Sequence, residues 1–436
     1  GGTINTTGTF DFRVTVTGKN SVLGQIVKLV EEAQGSKAPI QQLADKVASI
    51  FVPAVVGIAV VTLITWIFIN PNNFGFALSN FVGVLIIACP CALGLATPTA
   101  LIVGMGKGAQ HGILIKNGQS LEELHKVDTL IFDKTGTITE GKLSVSKIYY
   151  EDISEKEFLS YLASLENRSE HPIAKAIINF TSKKNIDPIM IEEFESVTGK
   201  GIKGRLNGLL LIAGNQHYLH ENDIDLKSFT DHSMVSLNEG STIIYLAINS
   251  KVKGFVSIKD SVKENSREIV DTLKTMNIEP VLLSGDNETV TRIVSNYVGI
   301  TKYESEVLPE NKSDIVKKYQ YDGKMVAMVG DGINDAPALA QSNVGIAIGT
   351  GTDVAIESAQ VVLMSGDLHG VVKSIKLSKQ TIRVIKQNLF WAFFYNVIGI
   401  PLAAIGLLNP MFAALAMSFS SFSVVSNSLR LKRYRL

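Results

Sequence analysis

The spacing of apolar and polar residues changes character several times along this chain. In residues 1–18, Phe10, Phe12, Val14 and Val16 alternate with polar neighbours, the period of a strand, and suggest the tail of a β-rich unit. Residues 19–48 shift to helical spacing, with Ile26, Leu29 and Val30 on one face, and predict an amphipathic linker helix. Then charge disappears. Ile50–Ile69, Phe76–Gly106 and Leu389–Leu429 hold no Asp, Glu, Lys or Arg, the last run being interrupted near "LLNP" at 407–410. About 20 apolar residues cross a bilayer core, so these runs predict four transmembrane helices in two hairpins, 49–106 and 389–429. Buried helices of a soluble protein rarely run so long without a charge.

Between the hairpins the pattern is of short buried β-branched runs separated by helical segments. "DTLIFDKTGT" (128–137), "PVLLSGDN" (280–287), "MVAMVGDGIND" (325–335), "VGIAIG" (344–349) and "VVLMS" (361–365) read as strands of a doubly wound parallel α/β sheet. That domain is expected over 107–142 and 258–388, with a separate α+β domain inserted at 143–257. In such sheets ligands bind beyond the carboxyl ends of the strands, where Asp133, Ser284, Asp286 and Asp331 fall.

Composition narrows the picture further. Lysine plus arginine equal aspartate plus glutamate at 41 each, so overall charge gives no reason to expect nucleic acid as a partner. The loops "NPNNFG" (70–75) and "LLNP" are uncharged, whereas Lys46, Lys107, Lys386 and the basic tail 430–436 flank the opposite ends. The positive-inside rule then puts both termini and the middle block in the cytoplasm. Two cysteines make no secreted disulfide scaffold, and neighbours at 89 and 91 are expected to be poorly placed to bridge each other. With neither an initiator methionine nor a signal peptide, the sequence reads as a piece of something longer.

The strand ends carry the chemistry. "DKTGT" sets Asp133 at a strand tip, followed by Lys134, Thr135 and a glycine suited to a tight turn. A carboxylate there can attack phosphorus if cations neutralise the incoming phosphate, and Lys312 in "LPENKSD" is the candidate cation. Asp331 and Asp335 in "GDGINDAP" offer hard oxygens suited to Mg²⁺, and Ser284 can donate to a phosphoryl oxygen. No G-x-x-x-x-G-K-[ST] motif occurs, so a P-loop is not the explanation. Taken singly, each signal also fits a solvated turn or a helix cap.

In this order "DKTGT", "SGDN" (with serine for the usual threonine) and "GDGINDAP" resemble the phosphorylation domain of P-type ATPases, members of the haloacid dehalogenase superfamily. The resemblance implies that Asp133 takes the γ-phosphate of ATP. It implies that Asp331 and Asp335 hold Mg²⁺ with Asp133 and Thr135, and that Lys312 and Ser284 bind phosphoryl oxygens. Lys134, Gly285, Asp286 and Asn334 complete the implied catalytic set. In the insert, "SEHP" (169–172) and "TGKGI" (198–202) resemble the nucleotide-binding domain of the heavy-metal branch. They imply ATP contacts at Glu166, His171, Gly199, Gly201, Ile202, Gly214 and Asn215, where paired glycines let backbone approach the nucleotide. Residues 1–18 would be the end of the family's actuator domain. Its "TGE" loop is not in the sequence, so the expectation is binding and phosphorylation without turnover.

"IIACPCALGLATPTA" (86–100) hangs both cysteines on a proline in an apolar run. Pro90 has no N–H, which leaves the Ile86 carbonyl without its helical partner, and the unwound turn lets both sulfurs face one site. Two thiolates there select a soft ion, Cu(I) first and Zn²⁺ second. The plainer alternative is a kinked helix with cysteines packed as small hydrophobes. By resemblance, this "CPC" is the membrane metal site of the heavy-metal P-type ATPases, and "FYN" with "MSFSS" resemble the Cu(I)/Ag(I) exporters. The implied ligands are Cys89, Cys91, Tyr395, Asn396, Met417 and Ser421, the last two sharing a face at i, i+4. The family implies export of Cu(I) or Ag(I) across a cell membrane, with a cytosolic copper chaperone as candidate partner. A Zn²⁺/Cd²⁺ exporter, a membrane-anchored phosphatase and a non-catalytic metal-binding protein are the alternatives.

Overall fold

The computed structural model describes residues 38–169, 171–197, 200–238, 240–349 and 357–436. The strands expected in 1–18 and most of the linker helix expected over 19–48 lie outside the described residues. The chain divides into two units. One holds the residues up to Asp128, Val316–Met328 and Ala336–Leu436; the other holds Thr129–Ile315 and Val329–Asp335.

The first unit begins with helix α1 (Pro39–Ile69), whose Pro39 occupies the first turn, where no backbone donor is needed. Asn73 caps α2 (Phe74–Ile87), its side chain accepting from the Phe76 N–H at 3.0 Å. The chain stops being helical at Ala88–Pro90 and resumes as α3 (Cys91–Gln110). Strand β1 (Ile113–Ile115) and the short helix α4 (Gly118–Leu124) follow.

The second unit opens with β2 (Thr129–Asp133), buried along its whole length, as a strand covered on both faces must be. After the turn Lys134–Ile138 the chain enters an antiparallel sheet. Its strands are β3 (Thr139–Tyr150), β4 (Glu192–Val197), β5 (Gly201–Leu206), β6 (Leu209–Gly214), β7 (Thr242–Ile248) and β8 (Lys251–Val262), in the order β3-β8-β7-β6-β5-β4. Alternation decides its two faces. Leu211, Ile244, Leu246 and Val256 pack with Phe158 and Ile177 of α5 (Glu155–Glu166) and α6 (Pro172–Lys183). Ile212, Tyr245 and Phe255 pack on the other side with Tyr218 and Phe229 of α7 (Gln216–Glu221) and α8 (Lys227–Asn238). The sheet runs from Thr139 to Val262, beyond both ends of the 143–257 expectation.

From Val262 the chain returns through α9 (Ser266–Thr275) to β9 (Glu279–Leu283), then α10 (Glu288–Val298) and β10 (Lys302–Glu304). Strand β9 lies parallel to β2 with Leu283 opposite Asp133, so the two strand ends, and Ser284 after the second, arrive side by side. Next come α11 (Lys312–Tyr321), β11 (Val326–Gly330), α12 (Ala336–Gln341), β12 (Val344–Ile348) and β13 (Val361–Leu363). The second unit thus holds the order β11-β2-β9-β10, with the last two residues of β11, and the first unit holds β1-β13-β12-β11. The parallel strands fall where the apolar runs predict. The edge strands β1 and β10 are three residues each, too short to show a period.

The first unit closes with α13 (His369–Ala404) and α14 (Pro410–Leu429). Among the described residues three helical stretches are long and apolar enough to cross a membrane: Pro39–Ile69, Phe74–Gln110 and Pro410–Arg433. The expected fourth span, at the uncharged end of α13, is not among these three. The uncharged end of α13 begins only at Gln387 and carries Asn388 and Asn396, polar groups that dilute its apolar character. Asn388 is fully buried and donates to the Ala96 carbonyl (2.9 Å) and the Ser428 hydroxyl (2.8 Å), joining α3, α13 and α14. Such internal satisfaction is what a hydrocarbon surrounding demands. Trp66 of α1 donates to the Ala404 carbonyl at 2.8 Å.

Helices α2 and α13 approach so closely at Gly399 that a Cβ there would come within 2.3 Å of Ile87 Cγ1. Gly399→Val is therefore expected to lower stability by about 1–3 kcal/mol, read as an earlier thermal transition in detergent. Adding Ile87→Ala should restore part of the loss, and an unchanged transition in the single variant would contradict the close packing.

Candidate active site

Lys312 sits between two carboxylates. Its Nζ donates to Asp133 Oδ1 at 2.5 Å and to Asp335 Oδ1 at 2.6 Å, and all three side chains are nearly buried. Asp335 uses its other oxygen to accept from the backbone N–H groups of Asp331 (3.2 Å) and Gly332 (3.1 Å). That leaves Asp335 holding Lys312 and the Asp331 turn in place. Burial and the neighbouring Asp335 carboxylate push Asp133 up to about 7, against the pull of Lys312. Burial alone would lower Lys312, but Asp133 and Asp335 outweigh it and hold its ammonium above the usual range. Asp331 is raised by burial and then by Asp335. Ligand oxygens of Asp133, Asp331 and Asp335 lie within 4.8 Å of one another, a set of hard donors that fits Mg²⁺.

The turn after Asp133 depends on Gly136, which has φ +73°; a Cβ there would strike the Asp331 carboxylate at 1.9 Å. The shape of this turn is held from below by residues the motif reading missed. Thr139 Oγ1 donates to Asp260 at 2.5 Å, and Lys263 Nζ donates to the Gly136 carbonyl at 3.0 Å, both partners coming from the end of β8 and just after it. Lys134 is buried and pairs with Asp286. Ser284, buried at the end of β9, accepts from the Asp286 N–H at 3.0 Å. Gly285, Thr135 and Asn334 are exposed, while the Thr137 hydroxyl is buried without a partner among the described residues.

A cavity of about 460 Å³ lies in the antiparallel sheet domain of the same unit. It is lined by Glu166, His171, Gly201, Ile202, Gly214 and Asn215, so the structure brings together all the nucleotide candidates except Gly199, which lies outside the described residues. Phe194 and Thr242, which belong to no quoted motif, also line it, as does Lys200 of "TGKGI", which is not among the implied contacts. Gly201 and Gly214 have a reason the sequence reading did not supply. A Cβ on either would come within 2.7 Å of the Tyr218 ring and of opposing backbone, so they let β5 and β6 close over that ring. His171 is exposed and caps α6, its Nδ1 accepting from the Ile173 N–H at 3.2 Å, which leaves the proton on Nε2. Glu166 is buried at the end of α5, and burial pushes it up to about 7.

In the first unit, Cys89 and Cys91 are joined by a disulfide, with Cα atoms 5.5 Å apart. This corrects the expectation that they are poorly placed to bridge: Pro90 (φ −82°, ψ 31°) breaks the helix and turns both side chains the same way. The Ile86 carbonyl is also not stranded, because it accepts from the Cys89 N–H at 3.2 Å in a tighter turn. Met417 and Cys89 pack in one cluster with Ile87, Ile400 and Ala413. Asn396 is buried and its Oδ1 has no partner among the described residues. Tyr395 is half-buried against Trp391 and Phe394. Ser421 is half-exposed, whereas Ser420, like Thr97 on α3, is fully buried with a hydroxyl that has no partner among the described residues. Spacing from Met417 admits either serine, since i+3 and i+4 share a helical face.

An aspartate at a parallel strand tip is clamped by a buried lysine and faced by further carboxylates, and residues 127–343, which carry this arrangement, match the family model of haloacid dehalogenase-like hydrolases. The whole chain is 49% identical over 437 residues to the copper-exporting P-type ATPase of Staphylococcus saprophyticus, covering 54% of that protein. The copper-exporting P-type ATPase of Staphylococcus aureus (strain MW2) is 46% identical over 438 residues, again with 54% covered. The chain spans about half the length of the curated relatives it matches. A crystal structure of a zinc-transporting PIB-type ATPase superposes with a TM-score of 0.82 at 31% identity, covering 96% of this chain and 69% of that one. A second structure of a zinc-transporting PIB-type ATPase, in another state, gives a TM-score of 0.74 at 31% identity, covering 96% of this chain and 68% of that one. The chain belongs to the PIB-type family of P-type ATPases, and it is a membrane protein.

The folded state favours neutral Glu166, so its contribution is fully present below the unfolded carboxyl range near 4.5 and is lost as pH rises through about 7. Glu166→Gln stays neutral. It should melt like the parent near pH 4 and later than the parent near pH 8, by an amount on the order of 3 kcal/mol. Equal transitions at both pH values would mean that Glu166 ionises freely.

Proposed function

We propose that this chain is the catalytic and ion-conducting part of an ATP-driven exporter of Cu(I), or of Ag(I), working through an aspartyl phosphate on Asp133. The observation that carries the reading is the clamp of Lys312 on buried Asp133, facing Asp331, in a chain whose long uncharged runs offer sulfur donors and no carboxylate. An Asp133 oxygen attacks the γ-phosphorus as the bond from phosphorus to the bridging oxygen breaks, and ADP leaves with that electron pair. Lys312 meets the charge on the phosphoryl oxygens and Ser284 supplies a hydroxyl donor. Asp133 and Asp331 would hold Mg²⁺ with Asp335 behind them, and the ion supplies charge neutralisation when bound. The cavity at Glu166 and His171 takes the adenine end of ATP; a protonated Glu166 can donate as well as accept there.

The cargo is held by the reduced Cys89–Cys91 pair, with Met417, Asn396, Tyr395 and the serines at 420 and 421 as further donors or stepping points. A disulfide has no thiolate to offer a metal, so ion binding requires the dithiol. Catalytic domains and both ends of the chain lie in the cytoplasm, from the basic flanks, with the cell membrane as the barrier crossed and a cytosolic copper chaperone as the donor. Export of Zn²⁺ or Cd²⁺ is the second reading, favoured by the likeness to a zinc-transporting structure. Against it stands the lack of any carboxylate or histidine in the uncharged runs to balance a divalent ion.

Incubated with γ-labelled ATP and Mg²⁺, the chain should acquire an acid-stable, hydroxylamine-sensitive label. Asp133→Asn should take none, and Lys312→Gln should slow labelling about 10²–10³-fold. A label that survives Asp133→Asn would remove that residue as the nucleophile. In anaerobic titration the reduced chain should bind Cu(I) tightly, with binding lost in Cys89→Ser/Cys91→Ser and in the oxidised parent. Preference for Zn²⁺, or Cu(I) binding indifferent to both cysteines, would overturn the copper assignment.

A further inference from the structure

Two adjoining cavities in the first unit serve none of this chemistry. Each encloses about 450 Å³. One is lined by Lys379, Arg383, Lys386, Phe390 and Trp391 of α13, with His125 at its edge. The other is lined by Arg383 again, with Arg430, Arg433 and Tyr434. No carboxylate lines either cavity among the described residues.

The sequence spacing makes this a stripe. Positions 379, 383, 386 and 390 recur at helical intervals, so three cations and then an aromatic ring share one face of α13. Lys386 is the last charged residue of that helix, and Phe390 and Trp391 follow within the uncharged run. The change from cation to exposed aromatic therefore falls where the helix passes from water into hydrocarbon, the level at which Trp and Lys/Arg anchor membrane helices. Two of these cations make hydrogen bonds to neutral partners. Arg383 donates to the Gln380 amide oxygen (3.2 Å) and Arg430 to that of Asn427 (3.2 Å), both uncharged. Glu122, the nearest acid to His125, is engaged by Lys126 (3.1 Å) and the Ile40 N–H (2.8 Å). His125 registers the field: burial first, and then Lys126 and Lys386, hold its pKa below the ordinary histidine value against the pull of the Glu122 backbone bond.

We propose that the two cavities bind the headgroup phosphate of an anionic glycerophospholipid, with Arg383 shared between them and the acyl chains lying along Phe390 and Trp391. Charge complementarity and depth select this occupant. A basic hollow at the cytoplasmic boundary meets phosphate on its wet side and acyl chain on its apolar side, and only a lipid presents both. The site is separate from the ion and nucleotide sites and stands or falls independently of them.

The test is lipid retained by the purified full chain after exchange from an equimolar mixture of phosphatidylglycerol and phosphatidylcholine, counted by native mass spectrometry. Phosphatidylglycerol should be retained in preference by about tenfold or more, each cation near the surface contributing about fivefold. Arg383→Gln/Lys386→Gln/Arg430→Gln should lose the preference, while Lys373→Gln/Lys376→Gln, cations of the same helix outside both cavities, should keep it. Equal retention of the two lipids, a preference surviving the triple variant, or equal loss in the control pair would overturn the proposal. So would displacement of the lipid by millimolar inorganic phosphate, which would assign the hollow to a free anion. A second readout needs no cation variant: in Trp66→Phe, Trp391 is the remaining tryptophan, and brominated phosphatidylglycerol should quench it more than brominated phosphatidylcholine does. Equal quenching by the two lipids would count against the site.

Discussion

One ammonium group organises the active end of the second unit. Lys312 lies 2.5 Å from Asp133 and 2.6 Å from Asp335, with the three side chains almost out of water. Two carboxylates so placed repel, and the lysine between them makes the arrangement tolerable. Removing it would leave buried charge uncompensated, a change that costs about 3–5 kcal/mol in comparable buried pairs. Everything around it follows from that position. Asp335 can turn its second oxygen to the Asp331 and Gly332 amides because its first is satisfied, and Gly136 must lack a Cβ because Asp331 occupies the space.

The membrane helices obey the opposite rule, that polar groups are few and mostly paired. Asn388 reaches two neighbouring helices and Asn427 donates to its Oδ1 at 2.9 Å, so that network is closed. The Pro90 break is likewise economical, since the Ile86 carbonyl shifts to the Cys89 amide. Against this background the unpartnered groups are informative. Among the described residues Asn80, Thr97, Asn396 and Ser420, on α2, α3, α13 and α14, each have a buried polar atom without a partner, and such an atom in these surroundings is costly unless something else visits it.

The candidate site was readable in the sequence to the extent that its residues follow strand ends. Asp133, Ser284 and Asp331 each come at or directly after the end of a short apolar run, and parallel pairing of β2 with β9 brings the first two together. Lys312 follows no strand; the need of a phosphate for a cation singles it out, and the resemblance then gives it the phosphoryl oxygens. Other members gave no signal. Asp260 and Lys263 support the Gly136 turn from more than a hundred residues away, and the Lys134–Asp286 pair joins two motifs that look independent on paper. The cavity side chains Phe194 and Thr242 are likewise ordinary strand residues.

By itself the sequence determined the kind of each segment. Runs free of charge, strands of buried β-branched residues and a proline between two cysteines follow from local patterns, because burial and backbone chemistry act residue by residue. Tertiary structure alone decided which donors are used up and which stand open. It closed the sulfurs on each other across Pro90, occupied both oxygens of Asp335, buried Ser420 rather than Ser421, and turned two glycines toward the Tyr218 ring. It also left α13 too polar along its uncharged end to count among the long apolar spans. Those outcomes depend on distances between atoms remote in the chain, and no spacing along it encodes them.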